Sequence, residues 1–126
     1  MGSYLITGGT VVTATDTVTA DVLVDGERIA AILAPDSVLV ARLRREGVPV
    51  LSADGCYVLP GGVDPHTHFE AEGQAVPVLD TFATGTRAAA LGGTTTIIDF
   101  TYARPGERPG QGLDWYLAKA DGQCAV

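Results

Sequence analysis

Two histidines stand two residues apart in Gly61-Gly62-Val63-Asp64-Pro65-His66-Thr67-His68-Phe69-Glu70, and the 126-residue sequence contains no others. Imidazole is the commonest protein ligand for zinc-class cations. Side chains two apart on a strand leave the same face, so an extended backbone here presents His66 and His68 to one cation while Thr67 points away. Such a cation acidifies a bound water and polarises a carbonyl, which is the chemistry of metal-assisted hydrolysis. Spacing alone leaves a second reading open with equal weight: both are ordinary residues at a strand end, one exposed and one hydrogen-bonded. Asp64 either orients a ligand imidazole through a hydrogen bond or caps the strand end. Glu70 and Glu72 read as solvated loop carboxylates.

The elements that must position this pair follow from the surrounding pattern. Leu59 to Pro65 reads as a strand end, with Gly61 and Gly62 permitting a tight backbone approach. A helix from Asp80 to Leu91 follows, with Phe82, Ala83 and Ala90 facing inward and Thr84 and Arg87 in water, and Gly92-Gly93 stops it. Thr94 to Phe100 is β-branched and mostly apolar, as strands covered on both faces tend to be. Residues 101–112 form a Pro/Gly-rich connecting loop whose glycines lack the order of a phosphate-binding loop. Leu113 to Ala120 is a second helix, on which Trp115 and Tyr116 suit core or interface packing. Alternating β and α units of this size imply a parallel sheet. If that sheet belongs to a (β/α) barrel, its C-terminal edge carries the active site, and His66 and His68 lie there. Asp99, near the end of the second strand, is assigned a structural role.

The first half is organised differently. Short strands, at Tyr4-Leu5-Ile6, Val11-Val12-Thr13, Val22-Leu23-Val24 and Ile29-Ala30-Ala31-Ile32, are separated by turn residues. Asp25-Gly26 marks a tight hairpin. Asp36 or Ser37 caps a helix running to Arg45, which Gly47 ends. Val48 to Leu51 and Cys56 to Leu59 are strand-like. The expected division is a portion of a small β-sandwich in residues 1–57 and the start of a (β/α) barrel in residues 58–126.

Composition narrows the partners. A formal net charge of -7, with Lys119 the single lysine, repels phosphate-rich polymers and argues against nucleic-acid binding. Cys56 and Cys124 match no zinc-ribbon or CxxC spacing and read as reduced and packed in the interior. No secretory leader is recognised, Ile6 breaks a myristoylation start, and apolar runs such as Ile29 to Ala34 fall short of the roughly 20 residues of a membrane span. The expectation is a cytoplasmic protein with no membrane contact.

Val58-Leu59-Pro60-Gly61-Gly62-Val63-Asp64-Pro65-His66-Thr67-His68 resembles the first-strand signature of the amidohydrolase superfamily. Asp80-Thr81-Phe82-Ala83-Thr84-Gly85-Thr86-Arg87-Ala88-Ala89-Ala90-Leu91-Gly92-Gly93-Thr94-Thr95 is similar to the dihydropyrimidinase and hydantoinase branch, more than to dihydroorotases or ureases. The similarity extends over essentially the whole chain.

The resemblance implies an α/β protein: the N-terminal part of a small β-sandwich, then the first strands and helices of a truncated (β/α)8 TIM-type barrel. It implies a hydrolase that opens cyclic amides, dihydropyrimidines or 5-substituted hydantoins, to N-carbamoyl amino acids through a metal-activated hydroxide. Two zinc ions serve the full-length family, with His66 and His68 holding the more buried one. Phe69 lies on the loop that walls the substrate pocket there, where it can contact the ring substituent. A bridging carboxylated lysine, two more histidines and a proton-shuttling aspartate are expected beyond Val126, because Lys119 falls in a helix and does not match the bridging position. No catalytic residue is therefore assigned within the chain, which is expected to be inactive and unstable alone and to bind metal weakly. Full-length relatives usually form homotetramers. Two other classes remain open: a non-catalytic scaffold of the neuronal response-mediator kind, against which both histidines argue, and a small metal-binding or assembly module.

Overall fold

The computed structural model describes residues 2–71 and 78–126. The chain divides into two compact units, Met1–Pro60 and Gly61–Val126. Glu72 lies outside the described residues.

The first unit is built on one mixed sheet of five strands. Strand β1 (Ser3–Val12) pairs antiparallel with β2 (Thr17–Asp25), which pairs antiparallel with β3 (Arg28–Leu33). The β2–β3 connection turns at Asp25-Gly26, where the sequence placed it. Helix α1 (Val38–Arg45) follows, and the Ser37 hydroxyl accepts the Val40 N–H at 3.2 Å, satisfying one of the orphan donors of its first turn. Strands β4 (Val50–Ser52) and β5 (Tyr57–Val58) then return parallel to β1.

The sequence suggested two strands flanking Gly8-Gly9, whereas β1 is continuous with a register shift between Ile6 and Gly9. Gly8 takes φ 78°, and its N–H donates to the carboxylate of buried Asp21 at 3.0 Å. A glycine in the left-handed region with an internal acceptor for its amide lets the strand bulge and continue. Val11, Ala20 and Val22 form the core of this unit, with Ile6, Val24 and Val58 packed against them.

The second unit alternates strand and helix: β6 (Gly62–Thr67), α2 (Phe82–Leu91), β7 (Thr94–Asp99) and α3 (Pro109–Ala120). Strands β6 and β7 pair in parallel, as the β-α-β order requires. Thr81 caps α2 by accepting the Thr84 N–H, and the Thr84 hydroxyl accepts the Thr81 N–H in return.

The inward face of α2 differs from expectation. It consists of Phe82, Gly85 and Thr86, one side of a helix at i, i+3 and i+4, while Ala90 is exposed. Thr86 tolerates burial because its hydroxyl donates to the Phe82 carbonyl at 2.5 Å and accepts the Ala125 N–H at 2.9 Å. Helix α3 starts four residues before the expected Leu113, within the segment read as loop. Proline suits the first helical position, where its missing N–H costs nothing, and the Gln111 side chain accepts the Arg108 N–H at 2.9 Å.

Tyr116 is buried and meets Phe82 edge to face at 6.3 Å. Trp115 carries the Lys119 ammonium over its ring at 3.7 Å and the Arg104 guanidinium at 5.3 Å. Both cysteines are free and exposed, contrary to the packed positions expected. Cys56 closes the turn from Ala53 before β5, and Cys124 follows the end of α3, so neither sits on an element with an inward face. Among the described residues no helix is long and apolar enough to cross a membrane.

Candidate metal centre

Strand β6 runs through His66 and Thr67, and His68 is the first residue past it. The backbone there stays extended, so the two imidazoles leave the same side and their Nε2 atoms stand 3.1 Å apart. The ring planes are inclined at 73° with centroids 5.0 Å apart, which brings the nitrogens together without stacking the rings. Two nitrogens bound to one tetrahedral zinc at about 2.0–2.1 Å are separated by roughly 3.3 Å. The observed separation is close to that spacing, so the pair fits a zinc-class cation in both donor type and geometry. Among the described residues no three His, Cys, Asp or Glu side chains converge, so the pair offers two ligands and leaves other positions open.

Thr67 turns the other way, and its surroundings explain why the segment holds its course. Its hydroxyl donates to Asp99 Oδ1 at 2.9 Å, and its carbonyl accepts the Phe100 N–H at 3.1 Å. Asp99 Oδ1 also accepts the Phe69 N–H at 3.0 Å. One carboxylate oxygen thus grips the residues on both sides of His68. The other oxygen, Oδ2, is buried without a partner among the described residues. A shared carboxylate acceptor is stronger than a neutral one and tolerates two donors at once.

Aromatic side chains from the end of β7 line the pair. Phe100 lies 4.4 Å from the His66 ring and 5.4 Å from the His68 ring, centroid to centroid. The Tyr102 hydroxyl is 3.0 Å from His68 Nδ1, with the two rings at 24°.

The remaining sequence candidates have definite places. Asp64 Oδ1 accepts the His66 backbone N–H at 3.1 Å, so it holds the main chain and does not touch an imidazole. The Phe69 ring rests on Gly85 of α2, where any side chain would collide with it, and meets Phe82 edge to face at 5.8 Å. Glu70 is not the solvated carboxylate anticipated: it pairs with Lys119 at 2.9 Å and accepts the Phe82 N–H at the start of α2. Lys119 accordingly sits on α3 beside Glu70 and Trp115.

Comparison with known proteins reaches the same segment. The chain is 48% identical to a D-hydantoinase of Streptomyces coelicolor over 122 residues, 97% of this chain and 26% of that protein. The chain belongs to the dihydropyrimidinase/D-hydantoinase family. It corresponds to the N-terminal portion of that family and spans about a quarter of the length of the relatives it matches. A D-hydantoinase of Geobacillus stearothermophilus is 43% identical over 97% of the chain and 24% of its own length. The crystal structure of a dihydropyrimidinase from Brevibacillus agri superposes with a TM-score of 0.85 at 41% identity, covering 98% of this chain and 25% of that one. No family model matches the chain.

Sequence reasoning missed Tyr102; it assigned Asp99 the structural role its hydrogen bonds show, without locating their partners. Both act on the pair across more than 30 residues, through the β6–β7 register, and no local spacing signals them.

Proposed function

We propose that this chain supplies the first two ligands of the metal centre of a cyclic-amide hydrolase acting on hydantoins or dihydropyrimidines. The observation that carries the reading is the convergence of His66 and His68 to a 3.1 Å separation of their Nε2 atoms at the C-terminal end of β6. Family membership supports it, since relatives named D-hydantoinase and dihydropyrimidinase align over nearly all of the chain. In this reading residues 1–57 form part of a small β-sandwich and residues 58–126 open a (β/α)8 barrel, whose C-terminal strand edge is where hydrolytic sites collect.

A zinc-class cation held at this position would acidify water and polarise a ring carbonyl. His66 and His68 would hold it, Asp64 and Asp99 fix the backbone that carries them, and Phe100 covers one side of the rings. Phe69 contributes to the pocket wall through the loop it anchors on α2. Bridging lysine, further histidines and a proton-shuttling aspartate come from sequence outside these 126 residues, as does much of the surface that would decide homotetramer formation. A cytoplasmic location belongs to the same reading, since free cysteines such as Cys56 and Cys124 suit a reducing compartment.

The test is a chimera in which this chain replaces the matched 122 residues of the Streptomyces coelicolor D-hydantoinase. We expect the chimera to open hydantoin, His66→Ala in it to abolish turnover, and the isolated 126-residue chain to show none. A folded, metal-loaded chimera without activity contradicts the proposal, as does turnover by the isolated chain that survives His66→Ala.

A further inference from the structure

Tyr102 lies past the end of β7, yet its position is fixed from two directions. On one side its ring lies nearly parallel to His68, with the hydroxyl 3.0 Å from Nδ1. On the other, α3 rests on its main chain: Gly112 is buried, and a Cβ there would lie 2.7 Å from the Tyr102 carbonyl oxygen and 2.9 Å from the Ala103 nitrogen. Only a residue without a side chain lets the helix approach that closely. The tyrosine is therefore braced by an element remote from the histidines.

The chemistry of the pair makes the hydroxyl consequential. A neutral imidazole carries one ring N–H, on Nδ1 or on Nε2. When no cation is bound, the 3.1 Å contact between the two Nε2 atoms requires one of them to donate to the other. A cation that takes both rings needs the lone pair of each Nε2, so the His68 proton must then reside on Nδ1. A carboxylate beside Nδ1 can only accept, and an ammonium can only donate. A hydroxyl does either by rotating.

We propose that Tyr102 is a positioning residue for His68: its hydroxyl accepts Nδ1–H when Nε2 is given to a cation, and donates to Nδ1 when Nε2 carries the proton toward His66. The ring is thereby held in one orientation through metal loading and loss, and the tyrosine neither gains nor loses a proton. This inference rests on the reading of His66 and His68 as metal ligands.

Because the chain has two histidines, ¹⁵N-histidine labelling gives signals from two rings only. Solid-state ¹⁵N spectra assigned with His66→Ala, recorded with and without zinc, read the His68 tautomer directly in wild type and in Tyr102→Phe, which keeps the stacked ring. In the zinc-loaded wild type we expect a protonated, hydrogen-bonded His68 Nδ1. In Tyr102→Phe that hydrogen-bonded shift should vanish, and zinc affinity measured against a chromophoric chelator should fall about tenfold, the lower end of what loss of such a partner costs. Unchanged circular dichroism in the variant separates this from a folding defect. Identical His68 shifts and affinities within twofold overturn the proposal. Two imidazoles alone hold zinc weakly, so loading uses a large molar excess; if the wild type takes up no zinc even then, the metal reading fails, and the metal-free spectra judge Tyr102 alone: a His68 tautomer indifferent to Tyr102→Phe overturns the hydrogen bond. Should the variant not fold, a zinc-loaded wild type whose His68 Nδ1 proton shows no hydrogen-bonded shift does the same.

Discussion

A single carboxylate oxygen keeps His68 where it is. Asp99 Oδ1 receives the Thr67 hydroxyl and the Phe69 N–H, so the residue between them has little freedom to rotate its side chain toward the opposite face. Hydrogen bonds to a charged acceptor contribute about 1.5–3 kcal/mol each, and each 1.4 kcal/mol is a tenfold change in an equilibrium. Asp99→Ala should therefore raise the opening equilibrium at the Phe69 amide about tenfold or more. Hydrogen exchange read over residues 62–71 measures this. Asp99→Asn keeps a carbonyl acceptor at the same distance and should recover most of the protection. Equal exchange in Asp99→Ala and wild type would show that the segment is held by other means. The other Asp99 oxygen, Oδ2, is buried with no hydrogen-bond partner among the described residues, and a buried polar atom left so costs free energy, which is a reason to expect that the grip of Oδ1 on the histidine segment matters.

At the scale of elements, α2 fixes the loop that follows the histidines. Phe69 occupies the space a side chain at Gly85 would take, and Glu70 accepts the Phe82 N–H at the helix start while pairing with Lys119 of α3. Gly85→Ala gains roughly 1 kcal/mol of helix propensity, but it drives a methyl group into the Phe69 ring, and overpacking of this kind costs about 1–3 kcal/mol. The expected net result is destabilisation of about 1 kcal/mol, measured by urea titration of Trp115 fluorescence, and a stabilised variant would show the contact to be loose. What was legible in the sequence was local: the Asp25-Gly26 hairpin, the Ser37 cap, and the two-residue spacing that puts both imidazoles on one side of an extended chain. Features set by distant pairing were not. The bulge that joins the two halves of β1 depends on Asp21 reaching Gly8, the ring partners of His68 include Phe100 and Tyr102 from the segment after β7, and Glu70 meets Lys119 from α3. The early start of α3 was written in Pro109 and Gln111, but the neighbouring glycines outweighed that signal.

The whole chain leaves much apolar surface in water. Leu79, Leu91, Val63 and Leu117 in the second unit are 90%, 86%, 60% and 57% exposed, and Ile29 and Ile32 in the first are 67% and 51% exposed. Exposed apolar area on this scale marks surfaces meant for further packing. The isolated chain should therefore bind the dye anilinonaphthalene sulfonate strongly, and the chimera should bind it much less per mole of this segment; a chain that leaves the dye dark would contradict that picture. The net charge of -7 disfavours polyanionic partners. If His66 and His68 share one cation, zinc K-edge X-ray absorption of the chain loaded with zinc should show two imidazole nitrogens at about 2.0–2.1 Å, one lost in each of His66→Ala and His68→Ala. A first shell without paired imidazoles, or one unchanged by both substitutions together, would contradict it.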